Sequence, residues 1–195
     1  MAPTTKRFFI TGDPRADDLL GRDPLALLIG MLLDQQVPME WAFGSPAKLV
    51  DRLGGRLDAT AIAAMDPEEL DRAFKGPPAL HRFPGSMAKR TQALCATLVE
   101  NHGGRAEAVW TEAKTGDELL ARLRALPGFG VEKARIFMAV LAKRLGVKPP
   151  GWEETAAPFS DDVRRSVADA DSPEALEEVR AFKKMMKASG KGKAD

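Results

Sequence analysis

The stretch RALPGFGVEKARIF, residues 124–137, decides how this chain folds. It places Pro127, Gly128 and Gly130 between two segments whose apolar residues recur at helical intervals. Glycine accepts positive φ angles, which lets successive backbone N–H groups point the same way at the start of the second helix. The stretch therefore predicts two helices joined by a tight corner, with an anion-binding site at that corner.

Two cationic residues, Lys133 and Arg135, follow the corner and can reinforce the binding of a phosphate. The small residues of the corner would let a sugar–phosphate backbone approach closely. The alternative is an ordinary αα-hairpin in which the glycines only end one helix and begin the next. The corner alone leaves both interpretations open.

Helical signals continue on both sides of the corner. Capping residues followed by proline predict helix starts at Asp23-Pro24, Ser45-Pro46, Asp66-Pro67 and Ser172-Pro173. Glycines predict helix ends near residues 54, 103 and 146. No sustained alternation of apolar and polar residues interrupts this pattern, so the sequence predicts an all-α protein. The segment RFFIT, residues 7–11, is a short extended piece at most.

Composition narrows the class of protein. The 195 residues suffice for one domain or two small lobes with a real core. Lys and Arg number 29 against 28 Asp and Glu, so a polyanion site must be a local patch. Cys95 is the single cysteine, which excludes an intrachain disulfide and a four-cysteine metal cluster. The sequence predicts neither a signal peptide nor a membrane span, and we expect a cytoplasmic protein.

Three blocks of the sequence resemble one family in the same order. The block LPGFGVEKARIFMA, residues 126–139, is similar to the helix-hairpin-helix signature of the HhH-GPD superfamily of base-excision DNA glycosylases. LLIGMLLDQQVPMEWAF, residues 27–43, resembles the early helix of that family and its glutamine-bearing turn. FPGSMAKRTQALCATLVENHGG, residues 83–104, resembles the helix before the hairpin. Within the superfamily, the chain resembles a short subfamily without an iron–sulfur cluster.

The resemblance implies a helical fold of two lobes with a DNA-binding cleft between them. Residues 23–145 would form the central lobe, with the hairpin at about 119–145. Residues 1–22 and 146–195 would form the second, smaller lobe, and its basic tail, residues 184–195, is expected to fray. The irregular segment 148–162 would be an ordered loop or crossover.

The resemblance also implies contacts with double-stranded DNA. Main-chain amides of the hairpin would hold a backbone phosphate and position the duplex without reading its sequence. A sodium or potassium ion could sit on the carbonyl oxygens of Leu126, Gly128 and Gly130; no other metal or cofactor is expected. The expected DNA-binding residues are Gly128, Phe129, Gly130, Lys133, Lys89 and Arg90. His81 and Arg82 belong to the same basic stretch as the last two, for which a solvated helix face is the alternative.

An extruded damaged base would lie beside polar and aromatic side chains. Gln35 or Gln36 would occupy the polar position near the displaced base, and a turn-capping amide is the alternative. Trp41 and Trp152 are candidates for stacking on the base. Phe43 and Trp110 are better explained as core residues, and His102 as the end of a helix.

The chemistry departs from the family pattern at two places. Family members that cleave the DNA backbone use a hairpin lysine as an amine nucleophile, and Glu132 occupies that position here. Lys133 is one residue further on, about 100° around the helix. The family's catalytic aspartate follows the hairpin, where this chain has Glu153 and Glu154 and no aspartate before Asp161 and Asp162. We therefore expect Glu153 or Glu154 to supply the catalytic carboxylate, and Asp161 or Asp162 is the alternative if the loop folds back.

These expectations favour a monomeric base-excision glycosylase that hydrolyses the N-glycosidic bond of a damaged base without strong lyase activity. A non-catalytic module that recognises damaged or bent duplex is the alternative, because the usual aspartate is missing. A helical protein–protein interaction domain is a third and weaker interpretation. The sequence does not identify the damaged base, because pocket contacts come from side chains far apart in the chain.

Overall fold

The computed structural model describes residues 7–192 and residue 194, and this part of the chain is all-α, as predicted. Its α-helices, numbered in chain order, are α1 Pro14–Arg22, α2 Pro24–Leu33, α3 Met39–Arg52, α4 Ala59–Ala64, α5 Pro67–Lys75, α6 Pro84–His102, α7 Ala108–Thr111, α8 Gly116–Arg124, α9 Val131–Leu145, α10 Trp152–Ala156 and α11 Pro173–Ala188. A 3-10 helix spans Val167–Asp169. The described part of RFFIT, residues 7–11, contains no strand. No helix in the described ranges is long and apolar enough to cross a membrane.

The chain divides into two compact units. Of the described residues, the N-terminal unit comprises 11–109 and 126–128, and the C-terminal unit comprises 7–10, 110–125, 129–192 and 194. These units group residues that contact one another, whereas the predicted lobes are the two sides of a DNA-binding cleft. The units therefore do not test the predicted lobes, including their border after residue 145, and the lobes stay a prediction.

Helix α2 is the centre of the N-terminal unit. Every residue from Leu25 to Leu33 is buried, because α1, α3 and α6 all pack against this helix. Helix α6 in turn packs on α4 and α5. Phe43 and Cys95 lie in this core, and burial raises the pKa of the Cys95 thiol to about 12. Phe43 is therefore a core residue, as predicted.

Most of the predicted helix starts are confirmed. Asp23, Asp66 and Ser172 are the N-caps of α2, α5 and α11, and each side chain accepts hydrogen bonds from backbone N–H groups of the first turn. Ser45-Pro46 is the exception, since it lies inside α3. The Ser45 hydroxyl instead donates to the carbonyls of Trp41 and Leu80, at 2.8 and 2.6 Å.

The hairpin of α8 and α9 organises the C-terminal unit. Phe137 of α9 is fully buried and makes edge-to-face contacts with Trp110 and Phe129, with ring centroids 5.9 and 6.0 Å apart. Trp110 is therefore a core residue, as predicted. Helix α10 lies within the predicted loop 148–162 and packs on both arms of the hairpin.

Helix α11 ends the described chain. It continues to Ala188, through the first residues of the tail that was expected to fray. Residues 193 and 195 of that tail lie outside the described residues, so the prediction for them has no structural counterpart here.

Candidate nucleic-acid interface

Helix α9 begins without a side-chain cap. Its N-cap is Gly130, and the first helical hydrogen bond runs from the Ala134 N–H to the Gly130 carbonyl at 2.9 Å. The N–H groups of the three preceding helical residues, 131–133, come before that bond and point out of the helix start. The arrangement is an exposed row of donors at the positive end of a 15-residue helix.

The two glycines of the corner have different roles. Gly128 has φ +82°, and a β-carbon there would clash with Cδ1 of Leu32 within the N-terminal unit. Gly130 has φ −75°, and a β-carbon there would meet nothing within 4 Å. Positive φ is thus used only at Gly128. No contact within the described chain requires glycine at position 130, so an external group can approach the backbone closely there.

The side chains of the corner face in different directions. Phe129 is buried, so only its backbone can contact DNA. Lys133 is half-buried, with Nζ 6.0 Å from the centre of the Phe129 ring. Glu132 is exposed. Arg135 is half-buried, and its Nε is inaccessible to solvent and has no hydrogen-bond partner among the described residues.

At the start of the other hairpin helix, α8, side chains of the same segment accept hydrogen bonds from backbone N–H groups. Thr115 caps α8 by accepting from the Glu118 N–H at 3.1 Å, and the Glu118 carboxylate accepts from the Lys114 N–H at 2.9 Å. Arg122 donates to the same carboxylate at 2.8 Å. The hydrogen bond from Lys114, followed by that from Arg122, lowers the pKa of Glu118 below its ordinary value.

The turn after α2 separates the two candidate glutamines. The Gln35 amide donates to the Leu32 carbonyl at 2.8 Å and accepts from Arg90 at 3.0 Å. Gln36 is exposed and has φ +57°, the one positive φ of a non-glycine residue in the described ranges. A glutamine pays a conformational cost in this region, and such strain is found at functional turns. The side chain of Gln36 makes no hydrogen bond to the described residues, which makes it the better placed of the two to contact a ligand.

An aromatic surface lies beside this turn in the N-terminal unit. His81 is buried, donates from Nε2 to the Gln35 carbonyl at 2.9 Å, and accepts the Phe83 N–H at Nδ1, 3.0 Å away. These two contacts select one neutral tautomer. The His81 ring lies 6.4 Å from the Trp41 ring and 6.1 Å from the Phe83 ring. We call Trp41, His81 and Phe83 the aromatic patch.

The patch contains a residue that sequence reasoning missed. Phe83 is 43% exposed and Trp41 is 36% exposed, so both present ring surface to solvent. Arg82 lies over the Phe83 ring at 5.3 Å, which adds positive charge. The only sequence signal for Phe83 was its place within a basic stretch.

Two predicted phosphate contacts lie on α6. Lys89 and Arg90 are both exposed. Lys89 also lines a groove between α5 and α6 with Glu68 and Asp71, so its local field is mixed. Arg90 holds the Gln35 amide, which ties the basic helix to the glutamine turn.

The predicted catalytic acids lie at the far end of α8. Glu153 and Glu154 are exposed in the first turn of α10. This helix is fixed to the start of α8 by the Gly116 N–H, which donates to the Pro150 carbonyl at 2.8 Å, and by the Thr155 hydroxyl, which donates to Asp117 at 3.0 Å. Trp152 is half-buried there, with Lys148 Nζ 5.8 Å from its ring.

Asp161 and Asp162 follow α10. Asp161 pairs with Arg165 at 2.6 Å, and Asp162 lines a polar groove near the end of α9. The described residues contain no group of three or more His, Cys, Asp or Glu side chains that could hold a metal ion.

The structure thus brings the predicted residues together in two groups. Gln35, Gln36, Trp41 and Arg90 are close neighbours in the N-terminal unit. Gly130 and Lys133 lie at one end of the hairpin in the C-terminal unit, and Trp152, Glu153 and Glu154 lie at the other.

One comparison with known proteins identifies a family. A family model described as HhH-GPD superfamily base excision DNA repair protein matches residues 29–161, more than half of the chain. A search of curated proteins finds no match. Among solved structures, the chain is similar to a trapped endonuclease III–DNA covalent intermediate in an estranged-adenine complex. That match has 19% sequence identity and a TM-score of 0.47, and it covers 83% of this chain and 74% of the other.

Proposed function

Because the chain belongs to the HhH-GPD superfamily of base excision DNA repair proteins, we propose that it is a DNA glycosylase that acts on a damaged base in duplex DNA. The observation that carries this proposal is the open start of α9, which lies within the matched residues. It offers backbone donors where a phosphate of the DNA can bind.

The hairpin would hold the DNA backbone through main-chain groups. The N–H groups of residues 131–133 would donate to phosphate oxygens, and Gly130 leaves room for the sugar–phosphate chain. Lys133 adds a charge nearby. Binding should therefore weaken with salt, because each phosphate contact contributes about 0.9 to the slope of log K against log salt concentration.

The N-terminal unit would contribute contacts at the lesion. Gln36 holds its exposed side chain on a strained backbone, and Trp41 and Phe83 offer ring surface on which a base can stack. Arg82 and Arg90 supply positive charge around these groups. This composition suits a base that has left the duplex stack.

The reaction would be hydrolysis without strong lyase activity. A lyase forms a Schiff base through an amine, and the corresponding helix position holds Glu132. Hydrolysis needs a carboxylate that stabilises positive charge on the sugar and accepts a proton from water. Exposed glutamates of the C-terminal unit are available, two of them being the predicted Glu153 and Glu154.

A monovalent cation is proposed at the corner. Carbonyl oxygens are ligands that sodium and potassium accept. The carbonyls of Leu126 and Gly128 accept no hydrogen bond from the described residues, and that of Gly130 retains a lone pair beyond its bond to Ala134. These donors fit such an ion, which would supply charge for a DNA phosphate.

The test is a panel of duplexes carrying alkylated, oxidised or deaminated bases, incubated with enzyme in excess and then treated to cut abasic sites. We expect strand scission for at least one lesion, and no scission before the treatment. Absence of product across the panel would contradict the glycosylase proposal.

A non-catalytic module that binds damaged or bent duplex as a monomer is the second candidate. The lack of an aspartate between the hairpin and Asp161 favours it, because that is where the family's catalytic aspartate is expected. This candidate predicts salt-dependent DNA binding with no product from any lesion, and Glu153→Gln and Glu154→Gln variants with unchanged affinity.

A further inference from the structure

The first turn of α9 contains a carboxylate beside the donors proposed to bind phosphate. Glu132 is the second residue of the helix and is exposed. A negative charge next to a phosphate opposes DNA binding. The helix dipole offsets part of this cost, and first-turn acids recur in this chain, for example in α5 and α8. At α9 the acid also lies beside the donors that the proposed function assigns to a phosphate.

The nearest arginine on the Glu132 face of α9 is Arg135, and it does not neutralise Glu132. It lies three residues after Glu132, on the same face of α9. The chain forms ion pairs at this spacing or one residue more elsewhere, namely Asp18–Arg22, Asp71–Lys75, Glu118–Arg122, Asp161–Arg165 and Glu177–Arg180. Glu132 and Arg135 form no such pair in the described structure, and Nε of Arg135 is inaccessible to solvent and lacks a partner.

Distance separates Glu132 from the predicted acids. Helix α10 is fixed to the first residues of α8, whereas α9 begins after the last residue of α8. The nine residues of α8 span about 12 Å at a rise of about 1.5 Å per residue. Glu153 and Glu154 are therefore about one helix length from the donors of α9, and Glu132 is on the same turn as those donors.

We infer that Glu132 is the catalytic carboxylate, an inference that rests on the proposed glycosylase function. With a nucleotide phosphate held by the N–H groups of residues 131–133, the neighbouring sugar lies within reach of the Glu132 side chain. The Glu132 carboxylate takes a proton from water while the water oxygen forms a bond to C1′. The C1′–N bond breaks, its electron pair leaves with the base, and the base takes up a proton from solvent. Arg135 supplies the positive charge that offsets repulsion between Glu132 and the phosphate.

The direct test compares three neutral variants in single-turnover reactions on the duplex that wild type cleaves. Glu132→Gln should lower the rate by about 100-fold or more, and its affinity for duplex DNA should stay equal or rise because a repulsive charge is removed. Glu153→Gln and Glu154→Gln test the acids predicted from the sequence, and they should lower the rate far less than Glu132→Gln does. A Glu132→Gln variant that keeps the wild-type rate would overturn the inference and leave the glycosylase proposal intact.

A second test does not require glycosylase activity. Glu132→Lys places an amine at the same position, and an amine in contact with C1′ of a preformed abasic site forms a Schiff base that borohydride reduces to a covalent complex. We expect such a complex for Glu132→Lys and none for wild type or Glu154→Lys. Failure of Glu132→Lys to give the complex, although it binds the abasic duplex, would overturn the inference. A complex from a protein whose wild type is inactive would show that residue 132 contacts the sugar, and it would reject both the glycosylase proposal and the catalytic role of Glu132.

Discussion

Helices α2 and α9 begin in opposite ways. At the start of α2, the Asp23 carboxylate accepts from the N–H groups of Leu25 and Ala26, at 2.9 and 3.1 Å. At the start of α9, Gly130 has no side chain to accept anything. The first-turn N–H groups of α2 thus have a side-chain acceptor, and those of α9 have none.

The two helix starts also differ in charge and burial. Asp23 is partly buried, and the loss of contact with water raises the pKa of its carboxyl group. Gly130 carries neither charge nor strain, since its φ is ordinary and the space beside it is open. The Asp23 carboxylate thus satisfies first-turn donors of α2 within the chain, whereas the donors of α9, like those of α3, α6 and α10, have no side-chain acceptor. Among these uncapped starts, that of α9 follows the glycine corner, where an external anion can approach.

Gly128→Ala should give the largest effect on stability. Alanine at φ +82° and a β-carbon against Leu32 should together lower the free energy of unfolding by about 3 kcal/mol. Chemical denaturation measures the change. Gly130→Ala is the control and should cost about 0.5–1 kcal/mol, as for alanine at an N-cap. Equal losses of unfolding free energy in the two variants would contradict the assignment of a structural role to Gly128 alone.

Gly130→Asp should convert the start of α9 into one like that of α2. The new carboxylate would accept from the first-turn N–H groups and repel phosphate, so affinity for duplex DNA should fall by about 30-fold. Fluorescence anisotropy at fixed salt measures it. Gly130→Ser caps the helix without a charge, and its affinity should lie between the two. If folded Gly130→Asp bound duplex DNA as tightly as wild type, the start of α9 would not be a phosphate-binding site.

Asp23 tests the closed start. Asp23→Ala removes the cap and should lower stability by about 1 kcal/mol. Asp23→Asn keeps an acceptor oxygen and removes a buried charge, so it should match or exceed wild type at pH 7. Because the folded-state pKa of Asp23 is raised, any advantage of asparagine should shrink as the pH falls through that pKa. Thermal melts across pH would reject this account if Asp23→Asn were as unstable as Asp23→Ala at pH 7.

Glu118 should give the smallest effect. Its folded-state pKa is lowered, so its contribution to stability is present above the unfolded value of 4.5 and is lost as the pH falls through the folded value. Glu118→Gln should melt slightly below wild type at pH 7 and together with it at the lowest pH. A constant difference at every pH would assign the effect to packing.

Local signals explain what could be predicted. Asp23-Pro24 and Asp66-Pro67 begin helices because the cap and the proline act within one turn. Ser45-Pro46 has the same pattern of a capping residue before proline and lies inside α3, where the Ser45 hydroxyl contacts the Leu80 carbonyl from a distant part of the chain. Local sequence does not contain that contact.

The candidate site likewise combines features set by local sequence with features set by long-range contacts. The glycine corner could be predicted from the sequence, because the φ angles and the small side chains of a tight turn depend on neighbouring residues only. The sequence could not distinguish the roles of Gln35 and Gln36, because Arg90 and His81 form hydrogen bonds with Gln35 from positions far along the chain. The exposure of Phe83 and the distance of Glu153 from α9 likewise depend on how helices pack.

The most direct measurement is a titration of isotope-labelled protein with duplex DNA, followed by amide chemical shifts at low salt. The account predicts that the largest shifts fall on the N–H groups of residues 130–133 and disappear in Gly130→Asp, whereas the amides at the start of α2 stay unchanged. Saturable binding that leaves the amides of residues 130–133 unshifted would contradict the claim that the open start of α9 holds the DNA backbone.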